Sequence, residues 1–187
     1  MIRFAELLAA SNGYLEYGAG GTTLLANRLG IRTLTIEGDR FYASVVRKTL
    51  KPPTSVKIVH VNIGFTREWS LPIFSTPTRF RVRRWRRYAG KPFKLLAKLG
   101  WFPDLVLVDG RFRRACVLET ARHAAIRGSF VTIVVDDYFE RDHYHQVERW
   151  LGPPCQVGRA AVFHLKPAAL TAAIDESDIA DAARDYR

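Results

Sequence analysis

Three aspartates end two runs of aliphatic residues. Asp109 closes "LVLVDG", and Asp136 and Asp137 close "TIVVDD". If both runs are neighbouring strands of a parallel sheet, the three carboxylates meet at one edge. Carboxylates so clustered repel one another and need compensation. A hard divalent cation such as magnesium supplies it, with oxygen ligands and retained water. Arg111 and Arg113 follow Asp109 closely and offer the alternative, a salt-bridged strand end. Both readings stand open on the sequence. In either, Asp109 is the carboxylate expected nearest to any chemistry, as base or as ligand.

A second candidate is the turn Gly18-Ala19-Gly20-Gly21-Thr22-Thr23. A dinucleotide fingerprint has glycine at the first, third and sixth places, and here the sixth is Thr23. Glu16, two residues before Gly18, would also repel a pyrophosphate. It suits a ligand with an ammonium at this end and no phosphate, such as S-adenosylmethionine. Glu37 lies 19 residues after Gly18 and ends another strand-like run. A carboxylate there accepts hydrogen bonds from ribose hydroxyls, a need that dinucleotides and S-adenosylmethionine share. The competing reading is structural: such glycines serve close packing, and Glu16 and Glu37 are merely solvated.

These residues need elements to position them. "GYLEYG" (13–18) reads as a strand and "GTTLLANRLG" (21–30) as a helix closed by glycine. "IRTLTIE" (31–37) is a second strand, and Asp39 is placed to cap a helix through "FYASVVRKTL". "TSVKIVHVNIG" (54–64) is a third strand, rich in β-branched residues. Residues 65 to 102 are the least regular stretch. A buried strand (103–110), a helix from Arg111 and a fifth strand (129–138) follow. "ERDHYHQVERWLG" reads as a helix, and residues 155–167 supply one or two closing strands that bend near Gly158. The alternation predicts an α/β fold: a three-layer sandwich around a mostly parallel, Rossmann-like sheet. Ligands of such sheets bind outside the carboxyl ends of the strands. Here those ends are Glu16–Gly21, Glu37, Asn62–Gly64, Asp109–Arg111 and Asp136–Tyr138.

The 187 residues are expected to form one domain over 1–187, with an acidic tail at about 168–187. Hydrophobic residues at 48% and charged residues at 25% fit a soluble globular chain. No apolar run approaches the roughly 18 residues of a membrane span. No secretory leader is visible, so a cytoplasmic location is expected. The two cysteines exclude a disulfide framework, and Cys116 reads as a small core residue. No nucleophile elbow and no phosphate-binding Gly-Lys-Ser/Thr loop occurs.

Together, "LEYGAGGTT", "TLTIEGD" and "DLVLVDG" resemble the class I S-adenosylmethionine-dependent methyltransferases over residues 13 to 166. The resemblance implies that Glu16, Gly18 and Gly20 line the methionine end of the cofactor. It implies Glu37 on the ribose, and Asn62 and Ile63 flanking adenine. "VNIGFTREWSLP" is similar to small uncharacterised bacterial methyltransferase-like proteins. The aspartate spacing resembles metal-dependent O-methyltransferases of the catechol and macrocin types. That likeness implies Asp109, Asp136 and Asp137 as magnesium ligands, with the metal lowering the pKa of an acceptor hydroxyl.

The net charge of +11 is concentrated: no acidic residue occurs between Glu68 and Asp104, a gap that holds "RFRVRRWRRYAGKPFK". Three readings are open. Val82, Trp85 and Ala89 fit one helical stripe, which leaves the arginines as a solvated face. Alternatively Arg83, Arg84, Arg86 and Arg87 hold an anionic or hydroxylated small acceptor, with Tyr138 beside Asp137 as part of its wall. In the third reading the basic segment, residues 79 to 98, binds nucleic acid or another anionic polymer, with aromatic residues stacking on bases. The function expected from all of this is methyl transfer to a small polar acceptor, O-methylation favoured. The alternative is anionic-polymer binding on the same fold.

Overall fold

The computed structural model describes residues 2–166, 170 and 172–186. Helix α1 (Ile2–Ala10) leads into strand β1 (Tyr14–Tyr17). Then come α2 (Gly21–Arg28), β2 (Thr33–Glu37), α3 (Arg40–Thr49) and β3 (Val56–His60). A small hairpin of β4 (Thr66–Arg67) and β5 (Leu71–Pro72) precedes the long helix α4 (Arg79–Leu99). Strand β6 (Leu105–Val108), helix α5 (Arg113–Arg127) and strand β7 (Val131–Val135) follow. A 3₁₀ segment at Asp142–Val147 runs into α6 (Glu148–Leu151). Strands β8 (Cys155–Val157) and β9 (Ala160–Leu165) form a closing hairpin, and α7 (Glu176–Ala182) lies in the tail.

The main sheet has the order β3-β2-β1-β6-β7-β9-β8. The first five strands are parallel and β9 and β8 antiparallel. Strand β6 is a continuous apolar run, β7 is one but for Thr132, and β1 is buried throughout although it carries Glu16, because helices cover both faces. Leu8, Ala26, Ala43 and Val46 of α1–α3 bury against one face. Trp85, Phe93, Leu118 and Ile179 of α4, α5 and α7 bury against the other. The order reverses between β1 and β6, where Tyr17 pairs with Val108, and Val108 pairs in turn with Val135. Gly18, Glu37, Asp109 and Asp136 therefore lie along one edge of the sheet, as the alternation predicts.

Two stretches differ from expectation. The irregular region contains α4, a helix of 21 residues. Thr78 caps it by accepting the Arg81 N–H at 3.3 Å. Pro92 lies within α4 and leaves the Tyr88 carbonyl without its helical donor. The helix persists because Val82, Trp85, Ala89, Phe93 and Leu96 bury one stripe. Beyond β7, the expected helix is mostly 3₁₀. That tighter winding puts residues i and i+3 in line, so both Tyr144 and Val147 reach the core.

The acidic tail is a packed element. Asp175 and Asp178 form a reciprocal cap on α7, and Ile179, Ala182 and Ala183 are fully buried. Its carboxylates meet the basic helices: Glu176 pairs with Arg86 and, at 3.0 Å, with Arg122. Residues 168, 169, 171 and 187 of the expected tail, and Pro167 of the expected closing strands, lie outside the described residues.

Candidate active site at the carboxyl edge of the sheet

The glycine turn links β1 to α2. Gly18 has φ +96, and a Cβ there would stand 2.9 Å from the Gly110 nitrogen. Gly18 therefore lets the ends of β1 and β6 approach, as the packing reading holds. Gly20 and Gly21 differ: a Cβ on Gly20 would meet only the Tyr42 hydroxyl at 4.0 Å, and one on Gly21 would meet nothing. The turn is open over these two residues.

Glu16 does not line that opening. Its side chain is fully buried behind the turn. Four hydroxyls donate to it: Thr22, Thr23 at 2.5 Å, Thr35 at 2.9 Å and Tyr14 at 3.1 Å. Thr22 and Thr23 open α2, and Thr35 lies on β2, so Glu16 latches the turn to the sheet. Burial pushes its carboxyl up to about 7, although the hydroxyls pull the other way. This corrects its expected place at the methionine end. The three threonines are the residues that sequence reasoning missed, and Thr22 and Thr23 immediately after the glycines were the available signal.

Glu37 sits where expected, at the end of β2 and beside the turn. Its Oε2 accepts the Ala19 N–H at 2.9 Å. Its Oε1 accepts the Asp39 N–H at 2.9 Å and the Ser70 hydroxyl at 2.6 Å. Ser70 comes from the β4–β5 connection, where Trp69 and Ser70 both adopt left-handed backbone, at φ 61 and 56. Such conformations are costly for non-glycine residues and mark a constrained tip. Asn62 is exposed, and its Oδ1 accepts the Gly64 N–H at 2.9 Å. Ile63 is buried against Gly38, where a Cβ would stand 2.7 Å from the Ile63 Cδ1.

Asp109, Asp136 and Asp137 do converge, with ligand atoms within 4.8 Å of one another. Each already faces a guanidinium. Arg113, almost fully buried, donates from Nη2 to Asp109 Oδ1 at 2.9 Å and lies 3.8 Å from Asp137. The backbone carbonyls of Gly110, Asp109 and Asp136 hold it in place. Arg159 clamps Asp136 through two bonds of 2.9 and 2.7 Å and reaches Asp137 at 3.1 Å. Arg141 lies 3.6 Å from Asp137. Partial burial and the two neighbouring aspartates push the Asp109 carboxyl up, and Arg113 opposes them. Arg159 carries no local sequence signal: it enters from the β8–β9 turn.

The arginine cluster divides. Arg83, Arg84 and Arg87 line a small cavity of about 140 Å³ with Phe80. Arg86 points elsewhere, into the ion pair with Glu176. It is therefore taken up by the tail rather than offered to an anion. Tyr138 is fully buried, stacks edge-on against Phe163 and donates its hydroxyl to Glu148 at 2.9 Å. It packs the core and forms no wall beside Asp137.

No family model matches the chain, and no curated protein sequence does. Among solved structures, the chain is similar to a methyltransferase-like protein from Silicibacter pomeroyi. The two share 33% identity at a TM-score of 0.78, over 98% of this chain and 94% of that one. It also matches a predicted O-methyltransferase from Agrobacterium tumefaciens at 14% identity and a TM-score of 0.41, over 98% and 97% of the two chains. An identity of 33% over 98% of this chain and 94% of the Silicibacter protein shows the family: the chain belongs to the methyltransferase-like family.

Proposed function

We propose that this chain binds S-adenosylmethionine between the glycine turn and Glu37, and transfers its methyl group to a hydroxyl of a small polar acceptor beside Asp109. The observation that carries the proposal is the bond from the Ala19 N–H to Glu37. It joins an open glycine turn to a strand-end carboxylate, the pair that an adenosyl group needs. An ionised carboxylate offers about four acceptor sites, and the three protein donors on Glu37 leave one. Two ribose hydroxyls need two, so the Ser70 hydroxyl must yield. Exposed Asn62, with Ile63 beneath it, would flank the adenine. Glu16 holds the turn in shape from behind. The bound cofactor supplies an electrophilic methyl group on its sulfonium.

Asp109 is the half-exposed carboxylate at the switch point. Its raised pKa suits a group that takes the acceptor's proton. Arg83, Arg84 and Arg87 suit an acceptor with a carboxylate or phosphate. Magnesium does not fit the aspartates as they stand. Three guanidiniums already balance three carboxylates, and Arg113 is anchored against their backbone carbonyls. The proton transfer is therefore assigned to Asp109 alone.

Calorimetric titration with S-adenosylhomocysteine tests the reading. Micromolar affinity, on the order of −7 to −8 kcal/mol, is expected for the wild type, with marked weakening in Glu37→Ala. Absence of both heat and thermal protection in the wild type would refute it.

A further inference from the structure

Exposed apolar side chains scattered singly are ordinary, but contiguous patches are not. Twelve large apolar residues are exposed among the described residues, and eight of them fall between Phe41 and Phe80. The most exposed are Phe41 at the start of α3, Phe65 and Trp69 of the β4–β5 hairpin, and Phe80 of α4, at 68 to 82%. Ile73 and Phe74 lie between them in sequence.

Contacts tie these elements into one face. Thr66 donates to Asp39, the cap of α3, at 3.2 Å. Ile73 donates its N–H to the Phe65 carbonyl at 2.9 Å. The Arg81 guanidinium lies over Phe74 at 5.3 Å and that of Arg84 over Phe80 at 4.9 Å. A Cβ on Gly64 would stand 3.8 Å from Arg84. The face borders the mouth of the Glu37 site, because Ser70, next to Trp69, donates its hydroxyl to Glu37.

The chemistry of this face selects its partner. It is basic: between Phe41 and Phe80 the one acidic residue is Glu68, and the neighbouring carboxylates of Glu37 and Asp39 are engaged by backbone N–H groups. A second copy of the chain would bring like charge against it. A nucleic acid would satisfy the arginines and stack on the rings, but it offers nothing to the exposed aliphatic side chains of Ile73 and of Val45 on α3. An anionic bilayer supplies both phases at the right depths: phosphates for guanidiniums at the rim, and the acyl boundary for the apolar side chains.

We infer that the face built by the start of α3, the β4–β5 hairpin and the first turns of α4 docks on an anionic lipid surface. The contact is peripheral, because no helix among the described residues is long and apolar enough to cross a membrane. It sets the mouth of the Glu37 site against the membrane, whichever cofactor that site holds.

Trp69 is a built-in reporter, since Trp85, Trp101 and Trp150 are all under 9% exposed. The full chain is mixed with vesicles of phosphatidylcholine, alone or with phosphatidylglycerol. Only the anionic vesicles should sediment the protein, shift its emission to the blue and shield it from acrylamide. The double variant Trp69→Ser/Phe74→Ser should lose about tenfold or more in partitioning, with its circular dichroism unchanged. Replacing Arg83, Arg84 and Arg87 with Gln should flatten the salt dependence. Failure to bind anionic vesicles, or equal binding by the Ser variant, would overturn the inference. Tight binding of a single-stranded oligonucleotide without vesicle binding would reassign the face to nucleic acid. Dimerisation lost in the Ser variant, again without vesicle binding, would reassign it to a second copy.

Discussion

Replacing Glu16 with Gln should change how stability depends on pH more than it changes stability itself. Glu16 is completely buried, and burial raises its carboxyl from an ordinary 4.5 to about 7. The native state therefore holds this proton more tightly than the unfolded chain does. The stability it contributes is full below about pH 4.5, falls as the pH rises towards 7, and is flat above. The difference between 4.5 and about 7 corresponds to about 3 kcal/mol. Glutamine is neutral throughout and keeps one carbonyl for the hydroxyls of Thr22, Thr23, Thr35 and Tyr14. Its amide can donate to one of them, so the variant starts from some constant offset. Urea unfolding between pH 4.5 and 7.5 reads both quantities. The wild type should lose about 3 kcal/mol relative to Glu16→Gln across that window. Parallel profiles would show that Glu16 is ionised throughout, and that the four hydroxyls outweigh its burial.

Ser70→Ala should tighten S-adenosylhomocysteine binding by up to about tenfold, because a hydroxyl bonded to a carboxylate no longer competes with ribose; calorimetry showing equal or weaker binding would remove Ser70 from the site. Arg113→Met should cost about 3–5 kcal/mol in urea unfolding, since it strips the buried partner from Asp109 and Asp137. Arg159→Gln, at an exposed guanidinium, should cost about 1 kcal/mol or less; similar losses in both would contradict the division of labour. Millimolar magnesium should give no heat with the wild type, and a chelator should leave any methyl transfer unchanged; a saturable isotherm lost in Asp109→Asn would restore the metal.

The parts of the fold that depend on near neighbours in sequence were legible there. Apolar runs such as "LVLV" and "TIVV", the glycines after "YLEY" and the Asp39 cap are local patterns, and each element formed within a few residues of its expectation. The stripe Val82, Trp85 and Ala89 was visible too, yet prolines and arginines obscured the 21-residue helix it belongs to. A continuous buried stripe outweighs one proline, but that burial exists only once α4 lies on the sheet. The convergence of Asp109, Asp136 and Asp137 followed from strand ends and was equally legible.

What the sequence by itself determined, then, was the alternation of elements, the parallel sheet and the edge at which the acidic residues and the glycine turn would gather. Only the tertiary structure decided what each charged side chain faces. Ser70 reaches Glu37 across 33 residues, Arg159 reaches Asp136 across 23 and Arg86 reaches Glu176 across 90. Arg159 and Arg113 turn the aspartates from an open metal cage into a balanced network, and Thr35, reaching Glu16 across 19 residues, helps turn that residue from a ligand contact into a buried latch. The physical reason is that periodicity and turn chemistry act over a few residues, whereas charge compensation and desolvation act through space, between groups whose separation along the chain carries no information.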